Sequence, residues 1–391
     1  MNLHTTTIVT QHEENPAERS HLKSSSIIWL SGVSWDNVTH TDRRMVEALA
    51  GSHEVVFVDS PRHGQWGCWL RGTPPAVEQV LPQVLRLTVP APPLFTKPVG
   101  RQVVRLLQGW TLRRGLPPGV NPAAVVVASP VTRFPHGLTG RRILFATDDW
   151  LAGAGLMGLS RRWVRRMMSA NAREADAVAA VAPVLLRQLR SLGAEGVPAE
   201  VLPNGAPPPG VPPLGSEAVA ILVGHLNERL DLGCLEAVAD AGVRLRIIGP
   251  RVDRDPGFGR RLDALLTRPE VDWEGVLVPP QQVARELAAV RVGLTPYLTS
   301  AFNQASFPLK TFDYLAAGLP VVSTDLDASR WLATEHIRIA DGPETFARLV
   351  VECIANPPSP EDVHGRQRLV LEHSWPKRAA QLLKLAGITT E

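Results

Sequence analysis

Lys310 and Asp313 stand three residues apart in SFPLKTFDYLAAGLPVVST, the stretch from Ser306 to Thr324. That spacing is close to one helical turn, so a helix here sets an ammonium and a carboxylate on the same side. Pro308 suits the first helical turn, where its missing N–H is no loss. Leu309, Phe312, Leu315 and Ala316 recur at helical spacing and form an apolar face that leaves both charges off it. Gly318 is a left-handed stop, Pro320 prevents continuation, and Val321 and Val322 open a strand. A helix start carries about half a positive charge together with unpaired N–H groups. With Lys310 in that first turn the site suits a pyrophosphate, and Asp313, one turn deeper, suits the diol of a ribose. The competing reading is a local Lys–Asp pair worth roughly a few tenths of a kcal/mol.

Two other sets of side chains follow apolar runs. Asp148 and Asp149 come after Arg142–Ala146, and Trp35 and Asp36 come after Ile27–Leu30. Residues at strand ends face the crevice in which open α/β sheets bind ligands. Asp149 reads either as a partner of ligand hydroxyls, including proton transfer, or as a helix cap ahead of Trp150. Trp35 reads either as a stacking platform for a ligand or as a core residue.

The elements that must position these groups are short strands alternating with helices. Strands are expected near Ile27–Leu30, Glu54–Val58, Val84–Thr88, Ala124–Ala128, Arg142–Ala146, Ala177–Val181 and Glu200–Leu202. A second set is expected near Val219–Val223, Leu245–Ile248, Val271–Trp273, Val292–Thr295, Val321–Ser323 and Ile337–Ile339. Helical patterns such as Ala170–Ala175, Leu230–Ala241 and Gln281–Ala289 lie between them. This alternation means βαβ units and parallel sheets. Between the sets, PNGAPPPGVPPLG, residues Pro203 to Gly215, is too rich in proline to pair within a sheet. The expected architecture is α/β, with two Rossmann-like doubly wound domains facing each other across a cleft. The expected divisions are a disordered tail over 1–25, an N-terminal domain over 26–206, a C-terminal domain over 207–372 and a helix crossing back over 373–391.

Composition sets the class. The chain has 391 residues, 44% apolar and 20% charged, enough to bury a core in each of two domains. A net charge of +3 argues against a dedicated nucleic-acid binder. Cys68, Cys234 and Cys353 are scattered without a CxxC, which fits a reducing cytoplasm and argues against a zinc site. No apolar run reaches the length that spans a bilayer.

Three further motifs carry competing chemistry. Gly153 to Gly158 matches GxGxxG, but residues intervene between it and the preceding strand, so a loop is expected rather than a dinucleotide site. Asp253-Arg-Asp255 and Asp325-Leu-Asp327 are DxD patterns that hold a divalent metal in some single-domain transferases; no metal is expected here. Arg161, Arg162, Arg165, Arg166 and Arg173 lie on a basic amphipathic helix with Trp163 and Met167. That helix either meets anionic lipid at a membrane face or is a solvated face with arginine stems over the core.

PLKTFDYLAAGLPVVST resembles the signature of GT-B glycosyltransferases of the family 4 type, in the branch of teichuronic-acid and other bacterial surface-polysaccharide enzymes. SWDNVTHTDRRMVEALA, LFATDDW, ADAVAAVAPVLLRQLRSLG with VLPNGA, ILVGHLNERLDLGCLEAVA and HSWPKRAAQLL resemble further segments of that branch in the same order. The resemblance implies retaining transfer of a sugar from a UDP-, GDP- or dTDP-sugar, with no tightly bound cofactor. The acceptor implied is a surface glycan, a glycolipid or a small aglycone. It places donor contacts at Gly224, His225, Arg229, Pro308, Lys310 and Asp313, and acceptor contacts at Trp35, Asp36, Asp148 and Asp149. Lys310 and Arg229 are the expected diphosphate pair, and Asp149 joins them at the reacting centre. Arg229 has an alternative as a surface partner of Asp231 or Glu228. The family's first acid falls at Ala305, which has no charge to offer. Two other readings stay open: a sugar-nucleotide 2-epimerase, which shares this architecture, and a non-catalytic homologue that binds nucleotide sugars, which Ala305 favours.

Overall fold

A computed structural model describes residues 26–37, 40–63, 67, 70–73, 75–93, 98–117, 120–155, 157–210, 217–277 and 280–388. The expected tail over 1–25, Cys68 and the later part of the proline-rich connection lie outside the described residues.

The first lobe is built from β1 (Ile27–Ser31), α1 (Thr41–Leu49), β2 (Val55–Val58), β3 (Arg62–His63), β4 (Val77–Leu81), β5 (Val84–Leu87), β6 (Pro90–Ala91) and α2 (Pro98–Gly115). It continues with β7 (Ala124–Ala128), β8 (Arg141–Ala146), α3 (Arg161–Glu174), β9 (Ala177–Ala180), α4 (Pro183–Ser191) and β10 (Ala199–Val201). Its main sheet has the order β10-β9-β8-β7-β1-β2-β5-β4, parallel except for β4. The central strands IIWLS, VVFV and AVVVA are buried at every residue, since helices cover both faces. β4, an exposed antiparallel edge reading VEQVL, has no such run and gives no comparable sequence signal. The long helix α2 was likewise not among the expected elements; Gly100 and Gly109 interrupt its pattern.

The second lobe runs β11 (Val219–Val223), α5 (Leu232–Asp240), β12 (Arg244–Ile248), α6 (Pro256–Leu266), β13 (Val271–Trp273), α7 (Pro280–Ala289), β14 (Val292–Thr295), α8 (Ala301–Ala305) and α9 (Leu309–Ala316). There follow β15 (Val321–Thr324), α10 (Asp327–Leu332), β16 (Ile337–Ala340), α11 (Pro343–Ala355), α12 (Pro360–Glu372) and α13 (Trp375–Leu385). Its sheet is wholly parallel, in the order β13-β12-β11-β14-β15-β16. Strand order reverses at β11 and β14, and the carboxyl ends of strands at such a reversal form a ligand crevice.

Two chain crossings join the lobes side by side. Ala206 pairs with Ser374 in an isolated bridge, and Ala206 N–H donates to the His373 carbonyl at 2.8 Å. A Cβ on Gly205 would lie 2.6 Å from the Trp375 ring, so only glycine lets the two crossings touch. α13 then packs on α1 of the first lobe. Phe307, Phe312, Trp331 and His373 close the hinge with ring centroids 5.6–5.9 Å apart.

Buried Asn204 ties three segments at this hinge. Its amide donates to the Phe307 carbonyl at 2.6 Å, and its carbonyl oxygen accepts from the Thr41 hydroxyl at 2.9 Å. Asn204→Ala strips both partners and leaves a buried carbonyl without a donor. The expected cost is about 2 kcal/mol, read as a lower midpoint in urea unfolding. An unmoved midpoint would remove Asn204 from the account of the hinge.

Candidate active site

The site is assembled at the carboxyl ends of β11 and β12, against the start of α9. Val223 ends β11, and its N–H donates at 2.9 Å to the hydroxyl of Tyr314 on α9. Burial pushes the Tyr314 phenol far up, so it remains protonated. Tyr314 lies flat on β14, where a Cβ on Gly293 would stand 2.3 Å from its ring. Two small features, a glycine in a strand and a buried phenol, therefore set the distance between α9 and the sheet.

Gly224 follows with φ +140, a conformation that side-chain-bearing residues rarely adopt. A Cβ there would fall 2.2 Å from the Lys310 ammonium, so the absent side chain is the seat of that charge. Gly249, at φ +145, approaches Gly224 so closely that its own Cβ would meet the Gly224 carbonyl. Lys310 Nζ also lies 5.1 Å from the Tyr297 ring centroid. Arg229 shares the aromatic wall, 5.4 Å from Tyr297 and 4.7 Å from Phe302. Its Nε donates at 2.8 Å to Asn303, whose amide donates back to the Arg229 and Leu298 carbonyls.

These contacts decide the alternatives for both cations. Glu228 accepts from the Arg254 and Asp255 N–H groups, and Asp231 caps α5 by accepting from Gly233. Arg229 pairs with neither. Lys310 does not pair locally with Asp313, whose ion partner is Arg44 of the first lobe at 3.8 Å. Among the described residues neither Lys310 nor Arg229 has a carboxylate within 4 Å. Their charges reach His225, which burial together with Lys310 and Arg229 holds below the ordinary histidine range and hence neutral at pH 7.

Pro308 is the N-cap of α9 rather than a first-turn residue, with φ −63 and ψ 115. It offers no capping side chain, so the first helical N–H groups stay available toward the crevice. Asp313 lies a turn on. Its side chain is 37% exposed, reachable from the cleft although protein surrounds it. Burial pushes its carboxyl up, while Arg44 and Lys310 pull it back. Ala305, where the family pattern has an acid, is buried at the end of α8 and contributes only to the core.

The first lobe faces this group with Asp148. Its carboxylate accepts at 3.0 Å from the Ser306 hydroxyl, joining the lobes beside Pro308. Burial pushes Asp148 above the usual carboxylate range, opposed by the Arg229 charge and the Ser306 hydrogen bond. Asp149 turns inward: its Oδ1 accepts from the Leu151 and Ala152 N–H groups at 3.1 and 3.0 Å, capping a turn where a helix cap was the alternative. Trp35 is a core residue, 6% exposed, edge-on to Phe57 at 5.0 Å with Arg43 over its ring, and offers no open face. Asp36 is exposed at the cleft rim. Hydrogen bonds from Arg86 and Arg62 lower its carboxyl to about 2. Arg86 in turn holds Asp59, fully buried, which accepts from the Trp35 N–H at 2.8 Å and fixes the loop after β1.

Of the Gly153–Gly158 match, 153–155 and 157–158 lie in turns, with a Cβ on Gly153 blocked at 2.8 Å by Phe302 of the other lobe. In the DxD patterns, Asp253 pairs with Arg251, Asp255 caps α6 and Asp325 pairs with Arg330. Among the described residues no group of three or more His, Cys, Asp or Glu could hold a metal. Arg44, Asn303, Ser306 and Tyr297 were not among the expected residues; of these, Arg44 and Ser306 lay in segments already singled out, SWDNVTHTDRRMVEALA and SFPLKTFDYLAAGLPVVST.

Comparisons with known proteins fall on the same architecture. Residues 232–384 match a family model described as "Glycosyl transferase-like". A Bacillus subtilis (strain 168) protein named for a glycosyltransferase role in teichuronic acid biosynthesis, TuaH, is 30% identical over 127 residues. That match covers 32% of either chain, so the chain spans about a third of the length of this relative. The E. coli trehalose-6-phosphate protein solved with UDP-2-fluoro glucose superposes with a TM-score of 0.68 at 11% identity, covering 94% of this chain and 100% of the other. Sucrose-phosphate synthase from Thermosynechococcus elongatus gives 0.65 at 14% identity, covering 92% and 98%. The chain therefore has the GT-B fold, and its residues 232–384 are similar to the glycosyl transferase-like family.

Proposed function

We propose that the protein is a retaining glycosyltransferase that moves a sugar from a nucleotide-diphosphate sugar to an acceptor hydroxyl. The observation that carries the reading is the Lys310 ammonium seated on Gly224 beside Arg229, two cations at the start of α9 with no carboxylate within 4 Å among the described residues. Charge develops on the leaving diphosphate as the sugar bond breaks, and fixed cations with helix N–H groups stabilise it without reorganising. Asp313 faces the donor ribose. Gly224, His225 and Pro308 complete the donor wall. A leaving-phosphate oxygen takes the acceptor proton on the same face, so no protein base is required. Asp148 and Asp36 meet the acceptor, and Asp149 holds the turn that carries Asp148. The solved relative bound with UDP-2-fluoro glucose supports a nucleotide sugar as donor.

In this reading 26–206 is the acceptor domain, 207–372 the donor domain and 373–391 the helix that crosses back. The acceptor is a surface glycan, a glycolipid or a secondary-metabolite aglycone. The enzyme works in the cytoplasm, with peripheral membrane contact through Arg161–Arg173.

The test is a panel of UDP-, GDP- and dTDP-sugars incubated with the protein, with release of the nucleoside diphosphate followed. One donor is expected to bind and to hydrolyse slowly. If none binds and none is hydrolysed, the enzyme reading fails. Buried Ala305 favours a second reading, a homologue that binds donors without catalysis. Tight binding with no release in the presence of an acceptor panel would select that one.

A further inference from the structure

From Gln79 to Arg173 the chain carries fourteen arginines and lysines against two acids, Asp148 and Asp149. The whole chain has a net charge of only +3, so the remainder is acidic. Nine of the fourteen lie on α2 and α3 of the first lobe. α2 contains no acid, and the single acid of α3, Glu174, is paired with Arg133. Arg161, Arg162, Arg165, Arg166 and Arg173 are all exposed. At 3.6 residues per turn they spread over about 140° of the helix.

Between α2 and α3 lies a groove of about 390 Å³ whose floor is apolar, with Leu159, Trp163 and Met167. Arg101, Arg105 and Arg166 rim it, and the Arg101 guanidinium sits 4.0 Å from the Trp163 ring centroid. A shallower depression of about 760 Å³ continues along α3 past Arg162, Arg165 and Arg173. Among the described residues no acid lines either space. Leu106 of α2, 70% exposed, stands beside the groove.

We propose that this face docks on an anionic phospholipid bilayer. The α3 arginines take lipid phosphates, for which the guanidinium fork is shaped, and Leu106 and Met167 lie at the acyl boundary. Charge complementarity supports the assignment, and so does the joining of an apolar floor to a basic rim. A single-stranded nucleic acid is the poorer fit, because it needs open aromatic platforms and Trp163 is covered by Arg101. Both helices begin on the side of the sheet where the strands end, so docking brings the mouth of the cleft to the bilayer. The proposal deepens the membrane clause of the functional reading. Its test involves no sugar transfer, so either can fail alone.

The full chain is sedimented with vesicles of phosphatidylglycerol and phosphatidylcholine, and with phosphatidylcholine alone. Binding is expected to the first only, and to fall with salt. Each arginine near an anionic surface strengthens partition by roughly fivefold, so Arg162→Gln with Arg165→Gln and Arg166→Gln should weaken it by about a hundredfold. These side chains are exposed, and an unchanged thermal midpoint verifies folding of the variant. Leu106→Ser should remove the binding that survives high salt. Equal binding to neutral vesicles, or wild-type binding by the triple variant, would overturn the proposal. So would displacement from vesicles by millimolar inorganic phosphate, or by single-stranded RNA at equal charge.

Discussion

Lys310→Ala is expected to weaken binding of the matching nucleoside diphosphate by roughly 30- to 150-fold, a loss of about 2 to 3 kcal/mol. The magnitude follows from the surroundings of the ammonium. It rests on a glycine, faces an aromatic ring and has no carboxylate within 4 Å among the described residues. An anion arriving there meets a charge that no ion pair has quenched. Folding stability should hardly change, because no ion pair is broken. Titration calorimetry with UDP, GDP and dTDP on both proteins reads the effect. Equal affinities for all three would dispose of the diphosphate site at α9.

Gly293→Ala should be among the most destabilising single changes in the second lobe, at about 3 kcal/mol or more. The added methyl would lie 2.3 Å from Tyr314 Cγ, and neither side can yield cheaply. Gly293 pairs with both Ile221 and Val321 in the sheet, and Tyr314 is fully buried. Relief requires α9 to lift, which breaks the Tyr314 hydrogen bond to Val223 and carries Lys310 away from Gly224. Donor affinity should therefore fall although residue 293 touches no donor. Denaturant midpoints measure the first effect and calorimetry the second. A wild-type midpoint would mean that Tyr314 has room the structure does not give it.

The two sheets were legible because their strands are buried on both faces and read as unbroken apolar runs, Val219–Val223 and Ala124–Ala128 being the clearest. The exposed edge strand Val77–Leu81 lacked that signal. Around α9, glycine and proline marked the helix ends, and Gly318 does take a left-handed conformation at φ +80. Pairings formed across long stretches of chain were not legible. Nothing local to Arg44 points to Asp313, nor does anything near Ser306 point to Asp148, 158 residues away. Likewise, Trp35 and Asp149 each carried two readings that only the neighbours settle: Phe57 for one, two backbone N–H groups for the other.

The paired crossings at Ala206 and Ser374 act as a pin between two plates. Backbone hydrogen bonds there resist sliding, so the permitted relative motion is a swing about that line. The Ser306–Asp148 hydrogen bond also crosses between the lobes, and a swing wide enough to admit a bulky molecule has to strain it. With the Arg44–Asp313 ion pair it clasps the two plates, and the making and breaking of both should keep time with each round of entry and exit.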